Sequence, residues 1–418
     1  MRLTIVNQFY VPDLAPTGHL AASLAEHRAS RGDEVTVVAG CGPYVGGGHA
    51  SADELGGPRV IRVWTPGLGK CSALSRILDY SVFFLLAAWR LATLPRQDVI
   101  VAMTTPPYIL WAALIHKLFH RRTRIVLWNM DCYPEAAERS GVIRSGGMVS
   151  RVLAGLNRFA FPRLDAIVCL DEAMASLLQS RYERPGRGLA IRVIPNWERA
   201  ADYPRMATGG SLAAEDAALL DGQFVVLYIG NRGRGHRFDA VVEAADCLRN
   251  EPVRFLFVGG GCQTGFIEQA VASRRLENIS LLSYVTADRL RGLMAAAHCA
   301  LITLRDEMLG VMSPSKLHGN LAMGLPVLYL GPKDSNVDHA IRQCGCGVSL
   351  RHDDGTGLAA SIRTMMREPE RLRALSRRAR EAFESMFCDR RTLPQFDILL
   401  EQADSQETIA PAERRKAA

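Results

Sequence analysis

Short runs of Val, Ile and Leu recur along this chain, and each is followed by a stretch of helical spacing. In the first half the runs are Leu3–Asn7, Glu34–Ala39, Val60–Val63, Val99–Met103, Arg124–Trp128 and Ala166–Cys169. They are apolar almost throughout instead of alternating, which predicts strands covered on both faces and hence a parallel sheet with helices on either side. Thr17–Arg31 reads as one covering helix, with Gly32 as its stop, and Leu74–Leu94 as another. The alternation then restarts with Phe224–Ile229, Arg254–Val258, Ile279–Leu282, Ala300–Thr303 and Pro326–Leu330. The helical runs Phe238–Leu248, Phe266–Arg275 and Ala287–Ala296 lie between them.

A chain of 418 residues exceeds what one compact core accommodates. The pattern therefore predicts an α/β protein of two tandem, Rossmann-like, doubly wound domains. Their expected limits are 1–200 and 216–385, joined by a Pro/Gly/Ala-rich linker over 201–215. A closing segment over 386–404 and a polar, charged tail over 405–418, expected to be disordered, end the chain. Crevices outside the carboxyl ends of such sheets are where ligands bind.

The formal charge of +7 fits a phosphate-bearing ligand or an anionic membrane surface, although an arginine-rich composition gives the same balance with no partner. Nothing points to nucleic acid. The ten cysteines form no C-x-x-C pair, so reduced thiols in a cytoplasmic protein are expected and no metal site is. Met1-Arg2 leads directly into a strand pattern, so no secretory leader is expected. The apolar windows Tyr80–Trp89 and Val99–Ile115 are too short or too interrupted to span a bilayer. Leu74–Leu94, with Phe83, Phe84, Trp89, Arg76 and Arg90, has the make-up of an interfacial helix or of a domain-packing one. The expected location is cytoplasmic, with a peripheral contact at the inner face of the membrane left open.

Five stretches carry candidate chemistry. Ser313-Pro314-Ser315-Lys316 opens a helix that runs through His318 and Gly319 to Gly324. Hydroxyls can cap its first free N–H groups, and a lysine at such a start suits phosphate; an ordinary helix with a surface lysine fits equally. Gly230-Asn231-Arg232-Gly233-Arg234-Gly235-His236 follows a strand and carries more glycine and arginine than a turn requires. Its arginines can pair a diphosphate bidentately. Gly259 and Gly260 repeat the strand-then-glycine pattern, as the floor of a nucleotide site or as a plain loop. Gly18 and His19 open the first helix, and Asp131 and Glu135 flank Pro134 directly after a strand, where acids also serve simply as caps. His19, His236 and His318 lie in or beside these loops and are the histidines placed for acid/base work.

Taken together, the motifs resemble a family-4 (group 1) glycosyltransferase of the GT-B architecture. The matching pieces are Asp13 to Gly18, Arg31 to Val38, Asp131-Cys132-Tyr133-Pro134-Glu135, Val193-Ile194-Pro195-Asn196, Gly230 to Arg234, and Pro314-Ser315-Lys316-Leu317 through Gly324-Leu325-Pro326-Val327. The flavour is that of the bacterial colanic-acid and O-antigen transferases. The resemblance implies a nucleotide-sugar donor held mainly by the C-terminal domain and a glycan or polyprenyl-linked acceptor held mainly by the N-terminal one. It also implies transfer with retention, with neither metal nor cofactor. Residue by residue, it implies donor-phosphate contacts from Gly18, Gly230, Asn231, Arg232, Arg234, Ser315 and Lys316. It places Gly259, Gly260, His318 and Gly319 at the sugar or nucleotide, and His19, Asp131 and Glu135 as acceptor-side and catalytic candidates. The family's Glu-x7-Glu pair would fall at Val311 and Gly319, so that pair is absent here. A nucleotide-sugar epimerase of the same fold and a non-catalytic binding subunit of a polysaccharide assembly complex are the alternatives.

Overall fold

The computed structural model describes residues 1–13, 15–41, 57–67, 73–186, 188–203 and 212–401. The tail over 405–418 and most of the expected linker lie outside them. Two parallel sheets carry the fold. The first is built from β1 (Arg2–Val6), β2 (Glu34–Gly40), β3 (Arg59–Val63), β4 (Val99–Met103), β5 (Arg124–Trp128), β6 (Ala166–Cys169) and β7 (Ile191–Val193), in the order β3-β2-β1-β4-β5-β6-β7. The second is built from β8 (Phe224–Ile229), β9 (Val253–Val258), β10 (Ile279–Leu282), β11 (Cys299–Thr303), β12 (Val327–Leu330) and β13 (Gly347–Leu350), in the order β10-β9-β8-β11-β12-β13. Each central strand is buried along nearly its whole length, as its uninterrupted apolar sequence dictates.

Both orders reverse direction once, between β1 and β4 and between β8 and β11. Such a reversal splays the connecting loops apart and opens a crevice at the strands' carboxyl ends. At the first, the Gln8 N–H donates to the Thr105 carbonyl at 2.8 Å. At the second, β8 runs into the glycine loop at Gly230 and β11 ends at Thr303.

The chain forms two compact units. One comprises the described parts of Met1–Trp128, Leu164–Val168 and Asp389–Ala418; the other comprises Asn129–Arg163 and the described parts of Cys169–Cys388. This division does not follow sequence order. The stretch after β5 belongs to the second unit because the Cys132 N–H donates to the Val311 carbonyl at 2.8 Å and Asp131 bridges to Met312.

In the first unit, the helix Asp389–Glu401 packs on the helix Pro16–Ser30 through a buried charge cluster. The Arg28 guanidinium, 2% exposed, reaches Asp33 at 2.6 Å, and both Asp397 and Glu401 at 2.7 Å. His27 Nε2 lies 2.9 Å from the same Asp397 carboxyl. Burial alone would lower the Arg28 pKa, but Glu401, Asp397 and Asp33 outweigh it and raise it. In the helix Ala73–Thr93, Phe83 is fully buried, so it is a core residue; Leu85 and Trp89 are exposed. Among the described residues no helix is long and apolar enough to cross a membrane.

Candidate active site

The loops at the β8/β11 reversal are built from glycine for a visible reason. Gly259 has φ +128°, and a Cβ on it would lie 2.5 Å from the Gly230 carbonyl oxygen. Gly261 has φ +137°, and its Cβ would lie 2.5 Å from the Arg232 carbonyl. The two loops can therefore interlock only without side chains here. They are joined by Gly230 N–H to the Val258 carbonyl at 2.8 Å, Arg232 N–H to the Gly260 carbonyl at 2.6 Å, and Gln263 N–H to the Arg232 carbonyl at 3.0 Å. Gly261→Ala combines a left-handed backbone with a backbone clash and is expected to cost at least about 2 kcal/mol. Urea unfolding followed by tryptophan fluorescence will read it as a lower midpoint.

Lys316 crosses this floor. It begins the short helix Lys316–Ala322, and its Cε passes 3.2 Å from where a Cβ of Gly230 would stand. Its Nζ donates to His236 Nε2 at 3.1 Å and stands 5.1 Å over the Tyr228 ring. His236, 5% exposed, faces the Thr303 carbonyl through Nδ1 at 2.6 Å. That carbonyl can only accept, so Nδ1 carries the proton and Nε2 presents its lone pair to the lysine. Burial, and then the Lys316 charge, hold His236 neutral, down to about 3. Burial lowers Lys316 to about 8. The result is an ammonium fixed at the reversal point by a neutral acceptor and an aromatic face.

The other expected phosphate ligands are placed differently. Arg232 is buried: Nε donates to Thr264 Oγ1 at 3.1 Å and Nη2 to the Gly259 carbonyl at 2.7 Å, while Nη1 is buried without a partner among the described residues. Two of its donors thus brace the glycine loops. Arg234 is exposed and reaches the Ser140 carbonyl at 3.2 Å. Asn231 is exposed, and its carbonyl accepts from the Tyr228 hydroxyl at 3.0 Å. Gly260 lies against the Tyr284 ring.

Ser315 precedes the short helix but makes no side-chain cap hydrogen bond, contrary to the capping expected of it. The Ser313 hydroxyl instead bonds Asp171. His318 turns inward: it is 3% exposed, packs on the Phe387 ring at 5.2 Å, and is lowered to about 4 by burial. Gly18 and His19 belong to the first unit. Gly18 is buried, and its missing Cβ leaves room for the Tyr10 backbone at 3.2 Å, while His19 is exposed.

Asp131 and Glu135 share a neighbourhood but not a role. Burial pushes Asp131 up to about 6, within reach of proton exchange near neutrality. Glu135 is fully buried, accepts from the Tyr182 hydroxyl at 2.5 Å, and pairs with Arg181 at 2.8 Å. Arg181 also holds Glu138 bidentately, so Glu135 is part of a structural ion cluster.

Sequence reading passes over one carboxylate. Glu198 Oε1 lies 3.7 Å, and the Tyr203 hydroxyl 3.3 Å, from where a Cβ of Gly319 would stand. Burial, and then Asp202, push Glu198 up to about 7. A hollow of about 280 Å³, lined by His236, Gln263, Arg305, Asp306, Glu307 and His352 among others, opens beyond the carboxyl ends of β8, β9, β11 and β13. Among the described residues no three His, Cys, Asp or Glu side chains are grouped to hold a metal ion.

Residues 17–197 match the glycosyl transferase 4-like domain, and residues 213–382 match the glycosyl transferases group 1 domain. The putative colanic acid biosynthesis glycosyl transferase WcaI of Escherichia coli K12 is 25% identical over 338 residues, 78% of this chain and 82% of that protein. The probable glycosyltransferase WbjE of Pseudomonas aeruginosa is 24% identical over 275 residues, 64% of this chain and 66% of that protein. Among solved structures, sucrose-phosphate synthase from Thermosynechococcus elongatus superposes with a TM-score of 0.74 at 14% identity, covering 97% of this chain and all of that one. Anabaena HepE in complex with UDP-glucose gives 0.67 at 16% identity, covering 97% of this chain and all of that one. With its two parallel sheets of the GT-B fold and these domain matches along most of its length, the chain belongs to the group 1 glycosyltransferases.

Proposed function

We propose that this protein transfers a hexose or N-acetylhexosamine, with retention, from a nucleoside-diphosphate sugar to a glycan or polyprenyl-linked acceptor in cell-surface polysaccharide synthesis. The observation that carries the reading is the Lys316 ammonium at the β8/β11 reversal, braced by His236 and Tyr228. A fixed, partly desolvated cation where a leaving diphosphate develops charge is preorganised stabilisation. The loop amides and Arg234 complete the phosphate contacts, with no metal or cofactor invoked. The polar hollow beside His236 supplies Asp306, Glu307 and His352 for sugar hydroxyls. The complex of HepE with UDP-glucose supports a nucleotide-sugar donor of this kind. His19 and Asp131 serve the acceptor side.

Glu198 takes over the hydroxyl-binding role that a side chain at Gly319 would otherwise have. Its cost is visible as a pH-dependent stability. A carboxyl raised from 4.5 to about 7 favours the folded state fully below about pH 4.5, and that advantage is lost as pH rises through 7. Glu198→Gln is therefore expected to melt higher than wild type at pH 8 by about 1–3 kcal/mol of stability, to match it at pH 5, and to bind donor more weakly. Paired thermal melts at the two pH values and donor titrations check this.

A thermal-shift panel of nucleoside-diphosphate sugars, with and without EDTA, tests the proposed donor class. A rise in Tm with at least one donor, unaffected by EDTA, is expected. No shift with any donor, or a shift abolished by EDTA, contradicts the reading.

A further inference from the structure

The helix Met148–Ala160 is amphipathic in the reverse of the usual sense. Its buried residues are Ser150, Ala154, Asn157 and Ala160. Ser150 donates to Glu138, and Asn157 donates to the Tyr133 carbonyl at 2.6 Å, so the inner face is anchored through polar groups and small residues. The large apolar side chains point to solvent: Met148 is 81% exposed, Val152 59% and Phe159 50%, with Val149 and Leu156 also exposed. At roughly 100° per residue these five fall within an arc of about 100°, one continuous stripe along the helix. Val142, just before the helix, is exposed as well. A contiguous apolar stripe on a surface marks a contact with another phase or molecule.

Charge identifies which. From Ser140 to Leu164 the sequence holds Arg144, Arg151, Arg158 and Arg163 and no Asp or Glu. Arg151 and Arg158 lie along one border of the stripe, and Arg163 stacks on Phe159 at 3.5 Å. All four are exposed, and none carries an ion pair among the described residues. Apolar side chains bordered by uncompensated arginines fit the interface of an anionic bilayer, where the stripe enters the acyl boundary and guanidinium groups meet lipid phosphates. The helix Ala73–Thr93 also exposes Leu85 and Trp89, with one arginine in its last turn, Arg90, 4.8 Å over the Trp89 ring.

We propose that the helix Met148–Ala160 is an interfacial membrane-binding element that docks this protein on an anionic lipid surface. This does not depend on the sugar-transfer reading, because binding is measured without donor or acceptor.

The test is cosedimentation of the full chain with vesicles of phosphatidylcholine alone or mixed with phosphatidylglycerol. Wild type is expected to bind the mixed vesicles at least tenfold more tightly than the neutral ones. The Val152→Ser/Leu156→Ser/Phe159→Ser variant should lose at least tenfold in binding with an unchanged Tm, and Arg151→Gln/Arg158→Gln should lose the preference for anionic lipid. Equal binding of wild type and the serine variant overturns the proposal. So does a wild-type dimer, dissolved by the serine substitutions, that binds no vesicles, since the stripe is then a protein interface. Hydrogen exchange of the wild type needs no variant: slowed exchange over residues 144–163 with phosphatidylglycerol vesicles supports the proposal, and unchanged exchange there overturns it.

Discussion

Lys316→Ala is expected to lower kcat/KM by about 100- to 1000-fold, the scale of one preorganised charge contact to a developing anion, or ~3–4 kcal/mol. The pH dependence carries a sign that a structural lysine would not. Burial lowers Lys316 to about 8, so the free enzyme loses the ammonium as pH rises through that value, and kcat/KM should fall above it. A bound diphosphate favours the charged form, so the corresponding limb of kcat should lie at higher pH. Stability moves the opposite way from activity. A lysine whose folded pKa is depressed costs stability in full below about pH 8, and that cost disappears above the unfolded value of 10.5. Lys316→Met is thus expected to be inactive yet more stable at pH 7, by about 1–2 kcal/mol after allowance for its partial exposure. A variant that loses activity and stability together makes Lys316 a packing residue.

Arg28→Met should be the most destabilising substitution in the first unit, at about 3–5 kcal/mol at pH 7. Removing the most deeply buried cation of the cluster leaves Asp33 with only the Met1 ammonium at 2.7 Å, and Asp397 with only His27 and the exposed Arg31, to offset their desolvation. Because Arg28 joins the helices Pro16–Ser30 and Asp389–Glu401, the loss should also free the C-terminal helix, read as earlier proteolysis near its end. Asp397 is depressed below its ordinary value: burial alone would raise it, but His27 and Arg28 outweigh that. Its stabilisation is present above the unfolded value near 3.8 and lost as pH falls through the folded one. The deficit of Arg28→Met should therefore be full at pH 7 and shrink as the pH falls below about 4. A deficit that stays constant from pH 7 to pH 3 assigns the loss to packing instead.

Most of the fold is legible in the sequence because its information is local. Val99–Met103, Arg124–Trp128, Ala166–Cys169, Phe224–Ile229 and Ile279–Leu282 have the limits their apolar runs predict. The strand Gly347–Leu350 escapes such reading: it is four residues long and only half-buried, so it lacks the apolar signature of the central strands. The helix Met148–Ala160 is legible in its spacing, but not which face it buries, because its apolar residues answer to solvent and not to the core.

In the candidate site, the glycine loops are visible as loops. Their interlocking is not, because it rests on contacts such as Arg232 to the Gly259 carbonyl, 27 positions apart, which no local pattern encodes. Lys316 and His236 each stand out in the sequence, yet their bond at 3.1 Å spans 80 positions. His318 looks equally eligible until its helix turns it onto Phe387. Glu198 gives no sequence signal, since only the folded chain brings it beside the missing side chain of Gly319.

Sugar transfer itself is tested most directly by following the label. The donor that gives the largest thermal shift, radiolabelled in its sugar, is incubated with a polyprenyl-linked glycan acceptor and the products are separated. Label in the lipid-linked fraction, with the anomeric configuration of the donor retained and the transfer lost in Lys316→Ala, is the expected result. Label recovered only as an epimerised nucleotide sugar, or donor bound without turnover across acceptors, would contradict it.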